Sequence, residues 1–461
     1  MNINDTLQYL NFGLPEDIFR RKMYGDYEGA IRLINLRLQD TALPEALRGS
    51  LLLQKQICQQ LPAEFPYTKE EAMAIIHQDI PDFTEEEFDT LVDQRNVRWI
   101  YYNGEVRYFN RFYSSLCKAV PEFGRRSRMQ IGGMESTVAT ANTANLRDVT
   151  ISKMKNTGSL TTRIRIRATV KLKDKFFMPG MFVRAHLPIP ASCDQQTNIR
   201  IERIWPENGI IAPDTAGQRT VCWEENLLEN HEFVVEYSYL HTAKYKDAYN
   251  GSSISGCYDF DIQEQSPHIV FTPFIKNLCA ELTEGVTDPL AKARAFYDFI
   301  TKNMRYTYMP NYSVLENLVE NCARNYTGDC GIFALLFLTL CRCAGIPAQW
   351  QSGLTAEPDF VGGHDWVRFY VEPYGWIFAD PSYGTSAARS ENEERRQFYF
   401  GNLDPYRMVA NSEFQHNFTI PKLHWRADPY DNQLGEIEST NRGYNFDEYE
   451  RSKTILLCEE I

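Results

Sequence analysis

Thr327-Gly328-Asp329-Cys330-Gly331 runs directly into an apolar stretch over residues 332–344, and the reading of the chain turns on that junction. The pattern predicts a buried helix with Cys330 in its first turn. Unpaired backbone N–H groups and the positive end of the helix dipole converge there, and both favour thiolate over thiol. Gly328 and Gly331 leave open backbone on either side of the sulfur, through which an acyl group can approach. The backbone N–H of Cys330 is itself a candidate oxyanion donor. A cysteine inside an apolar helix is ordinarily a small buried hydrophobe, and Cys341 and Cys343 read that way. Cys330 reads differently because a histidine and a carboxylate stand downstream of it in suitable settings.

Gly362-Gly363-His364-Asp365-Trp366 puts an imidazole at the opening of a strand, at the lip of a sheet, and Gly375-Trp376-Ile377-Phe378-Ala379-Asp380-Pro381 closes the next strand on a carboxylate. If strands 364–371 and 376–380 are antiparallel neighbours joined around Pro373, a three-residue connection makes the register sum even. His364 and Asp380 then share one face. Asp380 in that place would hold the His364 tautomer and stabilise the imidazolium. The candidate catalytic residues are therefore Cys330 as nucleophile, His364 as general base and acid, and Asp380 as orienting carboxylate, a set suited to acyl transfer through a thioester. The remaining histidines, among them His231, His241 and His416, read as surface or packing residues. Cys341-x-Cys343 lacks the spacing of a zinc knuckle, and no P-loop, dinucleotide fingerprint or EF-hand loop occurs. No metal and no cofactor are expected.

At 461 residues the chain exceeds one compact core, so two to four domains are expected. A net charge of −13 excludes a general binder of nucleic acid or anionic membrane, which needs clustered Lys and Arg. Eleven cysteines are an odd number without a repeating framework, unlike a disulfide-stapled secreted scaffold. The first residues carry no apolar leader pattern, and the longest apolar run is far short of a membrane span. A cytoplasmic location is the expectation.

Residues 1–62 read as an N-terminal helical region, with a helix from Pro15-Glu16-Asp17, an apolar stripe over 27–38 that includes Leu36, and a helix over 44–61 with Leu47, Leu51, Leu52 and Ile57 inward. Residues 63–125 form a winged-helix-like module: Thr68 and Thr84 are N-caps for two helices, and Asn103-Gly104 is a type I′ hairpin turn between 97–102 and 105–109. Glu85, Glu86, Glu87, Asp89 and Asp93 make the second helix acidic, which favours a structural or partner-docking role over DNA binding. Residues 126–160 read as a linker. Over 161–245 alternating strands predict a β-sandwich. The first of them, Arg163-Ile164-Arg165-Ile166-Arg167, has one apolar and one basic face and reads as an edge strand. Further strands are expected at 182–187, 198–204, 220–223 and 232–240. Residues 246–435 read as the catalytic core. The segment after its strands, 398–407, caps it and could line the acyl cleft. Residues 436–461 read as an acidic, partly mobile tail.

At Ala293-Arg294-Ala295-Phe296-Tyr297-Asp298-Phe299-Ile300, Gly328-Asp329-Cys330, Ala344-Gly345-Ile346-Pro347-Ala348, Gly363-His364-Asp365-Trp366 and Tyr374-Gly375-Trp376, the chain resembles the transglutaminase-like superfamily of papain-related cysteine enzymes, bacterial type. The resemblance covers roughly residues 270 to 385. It implies an α+β multidomain protein whose papain-like core comes after the β-sandwich and the N-terminal region. It assigns Cys330, His364 and Asp380 the three roles given above and makes Tyr306 an additional oxyanion candidate. Two positions depart from relatives: Asp365 stands where a small residue is usual, and Arg368 where an acidic one is. Asp365 adds a second carboxylate near the imidazole, and Arg368 changes the charge near the site. The function implied is a cysteine hydrolase, a peptidase or amidase acting on a peptide or protein amide, with the N-terminal region available to a protein partner. The alternatives are a protein-glutamine transglutaminase, a non-catalytic scaffold that retains the core, and a DNA-associated regulator.

Overall fold

The computed structural model describes residues 3–127, 141–254, 256–428 and 430–461. The chain is an α+β multidomain protein and clusters into two compact units. The first comprises residues 1–136, 265–270 and 305–329; the second comprises 137–264, 271–304 and 330–461.

In the first unit, helices Glu16–Tyr24, Tyr27–Leu38 and Glu45–Glu64 come first. The long helix buries Leu51 and Ile57 as its periodicity predicts. Leu53 is inward where Leu52 was expected, Leu47 is only half-buried, and Leu36 lies on the solvent side of its helix. Thr68 and Thr84 cap helices Lys69–His77 and Glu85–Asp93 with reciprocal Thr/Glu capping boxes. Strands Trp99–Tyr102 and Glu105–Tyr108 pair with Tyr102 opposite Glu105, so Asn103 and Gly104 alone make the turn. Both take positive φ, +50° and +81°, the geometry that selects this dipeptide. The stretch 305–329 contributes a short parallel pair, Arg305–Tyr306 with Thr327–Gly328, and helix Leu318–Asn325. Arg98 donates to Thr327 at 2.8 Å, and Tyr312 donates to Asp329.

The second unit contains three sheets. Two have four strands each, in the orders 436–439/181–188/220–227/210–211 and 449–460/159–172/233–244/196–205. They bury one apolar cluster that includes Ile164, Ile166, Val183, Val221, Trp223, Val235, Tyr237 and Ile437. Strand Ser159–Leu172 alternates as predicted, but it is not an edge strand, because Tyr449–Glu460 pairs along it. The acidic C-terminal segment is thus no tail. Glu459 meets Arg163 at 2.8 Å, while Glu236 of the other neighbouring strand meets Arg165 at 3.0 Å. The basic face of the strand is charge-matched by its neighbours across the ladder.

Within the expected linker, residues 128–140 lie outside the described residues, and Ala141–Thr157 is a helix of the second unit. The third sheet is antiparallel throughout, in the order Phe400–Gly401, Gly375–Ala379, Phe360–Val371, Ala348–Glu357, Arg407–Asn411. The segment expected to cap the core, 398–407, therefore supplies one of its strands and the first residue of another. Helix Cys330–Cys343, buried along almost its whole length, packs on this sheet beside helices Pro289–Asn303 and Pro381–Arg389. No helix among the described residues is long and apolar enough to cross a membrane.

Candidate active site

Cys330 is the first residue of its helix, half-buried, at the end where backbone N–H groups lack intrahelical partners. His364 does not open its strand, as the sequence pattern suggested. It lies inside Phe360–Val371, opposite Gly353. Gly353 is required there for space: a Cβ would sit 2.0 Å from the Met408 carbonyl oxygen, because strand Arg407–Asn411 crosses closely at a bulge. Asp380 ends the next strand and caps helix Pro381–Arg389, its Oδ1 accepting from the Tyr383 N–H at 2.9 Å. Val367 pairs with Ala379, so the register sum is even and His364 shares a face with Asp380. The His364 Nε2 lies 2.7 Å from Asp380 Oδ2, with both side chains buried.

Beneath this pair lies a group that the sequence did not disclose. Arg407, fully buried, places Nη1 2.9 Å from Asp380 Oδ2 and Nη2 2.6 Å from Asp404 Oδ2. Its guanidinium also lies 4.4 Å from the centre of the Tyr383 ring, which in turn packs 4.6 Å from the imidazole. Burial pushes the Asp380 carboxyl up, but His364 and Arg407 outweigh it and hold the group below the usual carboxylate range. Burial dominates at His364, lowering its pKa against the opposing pull of Asp380, so the resting ring is neutral. Further out, Arg147, from the expected linker, forms an ion pair with Glu357 and donates to the Tyr383 hydroxyl at 3.2 Å.

The thiol has a different partner. Cys330 Sγ donates to Asp365 Oδ2 at 3.1 Å, and Gln433 Nε2 donates to Asp365 Oδ1 at 2.6 Å. Gln433 rests over Gly363, where a Cβ would meet its Oε1 at 2.3 Å. The sequence signals for this arrangement were the departure at position 365 and the placing of Asp404 and Arg407 in a segment expected to line the cleft; neither residue was given a role, and Gln433 carried no signal. Cys341 is buried as expected. Cys343, at the far end of the Cys330 helix, is half-buried, and a hydrogen bond with Cys279 lowers its thiol pKa. Tyr306 lies in the short parallel pair of the first unit.

A thiol at a helix start against a sheet that carries a buried His–Asp pair matches a known pattern of domains. Residues 276–381 match the model of the transglutaminase-like superfamily core. This stretch is a transglutaminase-like domain. It contains Cys330, His364 and Asp380, whereas Asp404, Arg407 and Gln433 lie outside it. A curated relative, the uncharacterised protein YebA of Bacillus subtilis, is 25% identical over 129 residues, and the match spans only 17% of that protein's length. Among solved structures, a candidate cysteine protease from Cytophaga hutchinsonii aligns with 65% of this chain and 92% of its own, at 14% identity and a TM-score of 0.42. The periplasmic domain of TgpA from Pseudomonas aeruginosa aligns over 54% of this chain and 96% of its own, at 13% identity and a TM-score of 0.28.

Proposed function

We propose that the transglutaminase-like domain is a cysteine-dependent acyl-transfer enzyme that hydrolyses an amide, acting as a peptidase or amidase through Cys330, His364 and Asp380. The observation that carries this reading is the buried 2.7 Å contact of His364 with Asp380, on the strand whose next residue hydrogen-bonds the thiol of a helix N-terminus. With Nε2 engaged by Asp380, Nδ1 is the ring nitrogen that exchanges protons. Cys330 Sγ attacks the substrate carbonyl carbon as its proton passes to His364, and the helix N-terminus stabilises the oxyanion. The C–N bond then breaks, and the leaving amine takes that proton. Water attacks the thioester while giving a proton to His364, and the acid departs as the thiol is restored. Asp380, itself fixed by Arg407, keeps the imidazole oriented and offsets its transient charge.

The test is a panel of peptide and protein amides presented to the full chain and to Cys330→Ala. Turnover should vanish in the variant while its melting temperature is unchanged; turnover that survives the substitution overturns the proposal. Added primary amine separates hydrolysis from transfer. Free acid as the main product supports the hydrolase, and amine conjugates would reassign the enzyme as a transglutaminase. We assign the cytoplasm as its compartment, because its cysteines are free rather than disulfide-bonded. To the N-terminal helical region we assign the docking of a protein partner, and binding of duplex DNA at low salt would overturn that assignment.

A further inference from the structure

Asp365 comes directly after His364 on the same strand, but its partners differ from those of the imidazole. It is buried, opposite Ser352 on the paired strand. Both oxygens of its carboxylate are occupied, one by the Cys330 thiol at 3.1 Å and the other by the Gln433 amide at 2.6 Å. The amide clamp is itself fixed by the absence of a side chain at Gly363. We propose that Asp365 is a positioning residue for the nucleophile: in the substrate-free enzyme it receives the S–H hydrogen bond of Cys330 and holds the sulfur as a thiol. This rests on the assignment of Cys330 as nucleophile.

The electrostatics run against the helix terminus. A helix N-terminus presents roughly half a positive charge, and a carboxylate within hydrogen-bond distance presents a full negative one, so the thiol form wins until the proton leaves for His364. Several of the groups near Asp365 are themselves acidic. Asp431 touches it and lies against Asp428. Arg426 and Glu436 stand behind Asp428, with Arg426 engaged by Glu436 at 3.1 Å. On the strand of Asp365 itself, His364 is committed to Asp380 and, beyond it, Arg407. Burial and the charge of Asp365 push Asp431 up to about 8, so at neutral pH Asp431 keeps its proton and donates it toward Asp365, which remains the charged member. When substrate enters, the thiol proton goes to His364 and not to Asp365, so no net proton is gained or lost at the carboxylate.

The measurement is the pH profile of Cys330 alkylation by iodoacetamide in the full chain, resolved by site with mass spectrometry so that Cys343 is scored separately. Asp365→Asn keeps the shape and removes the charge. The midpoint at Cys330 should fall by about one to two pH units, and the rate at pH 7 should rise about tenfold, with the Cys343 profile unmoved. Gln433→Leu, which leaves the strand untouched, should shift the Cys330 midpoint in the opposite direction, because Asp365 loses a donor and its charge bears more fully on the sulfur. An unchanged or raised midpoint in Asp365→Asn, or a downward shift in Gln433→Leu, overturns the proposal while leaving the catalytic assignment intact. Turnover surviving in Cys330→Ala overturns both.

Discussion

Asp404 and Asp431 are both enclosed carboxyl groups of the same compact unit, yet one is held at about 2 and the other is pushed to about 8. Burial is the largest influence on each and acts upward on both. What separates them is the neighbour. Asp404 faces Arg407, which is buried with it and forms an ion pair at 2.6 Å. Asp431 faces Asp365, whose charge raises it further, while a hydrogen bond with Asp428 acts the other way without reversing the shift. Arg426 donates to the Asp431 backbone carbonyl at 3.2 Å, but its ion pair is with Glu436. Inside a protein the partner decides whether a buried acid is charged, and burial only sets how strongly. The imidazole side of the candidate site is accordingly a fixed, charge-compensated array, and the thiol side is a place where protons are retained.

The largest effect should come from neutralising the compensated side at its working end. Asp380→Asn keeps the cap on helix Pro381–Arg389, since Asn caps as well as Asp, but it no longer fixes the charged imidazolium. The expected loss in kcat for an amide substrate is about 10³- to 10⁴-fold, read by steady-state kinetics with the melting temperature as control. Next, Arg407→Ala would turn the imidazole side into a copy of the thiol side, with Asp380 and Asp404 buried and uncompensated. Urea unfolding should show a loss of about 3–5 kcal/mol, and a loss below 1 kcal/mol would mean that Arg407 is not what separates the two regions.

A further comparison lies in the pH dependence of stability, where the two acids have opposite signs. Asp404 has a folded pKa below its ordinary value. It contributes about 2 kcal/mol that is fully present above pH 4 and is lost as pH falls toward 2. His364, lowered from its ordinary 6.5 and neutral when folded, adds to the loss as pH drops below that value. Asp431 has a raised folded pKa, so its contribution is complete below about 4 and is lost as pH rises toward 8. Denaturation measured from pH 3 to 8 should therefore show a flatter decline on the alkaline side in Asp431→Asn than in the unsubstituted chain. Identical slopes would show that the thiol side does not retain its proton.

Much of the local architecture was legible because it depends on short-range chemistry. Thr68 and Thr84 announced their helices through Glu three residues on, and Asn103-Gly104 announced a hairpin because few residues accept two successive positive φ values. The junction at Cys330 marked its helix start, and the parity of the connection between the strands of His364 and Asp380 gave their shared face. The acidic stretch 436–461 was misread because its charge suggested solvent. Arg163 and Arg165, nearly three hundred residues upstream, make the same composition suitable for a strand that flanks a basic face. The edge assignment of Ser159–Leu172 failed for the same reason.

What the amino-acid order determined unaided was where most helices and strands lie, the alternation of their apolar faces, and which three side chains form the candidate set. Those features arise from periodicity, capping and turn chemistry within a few residues. What only the tertiary structure decided was the charge state around that set: Arg407 under Asp380, and Gln433 and Asp431 around Asp365. These partners arrive from strands and loops 25 to 70 residues away. Electrostatic interactions in a dry interior depend on ångströms of separation and on the dielectric around them, and neither is written in the spacing of residues along a chain.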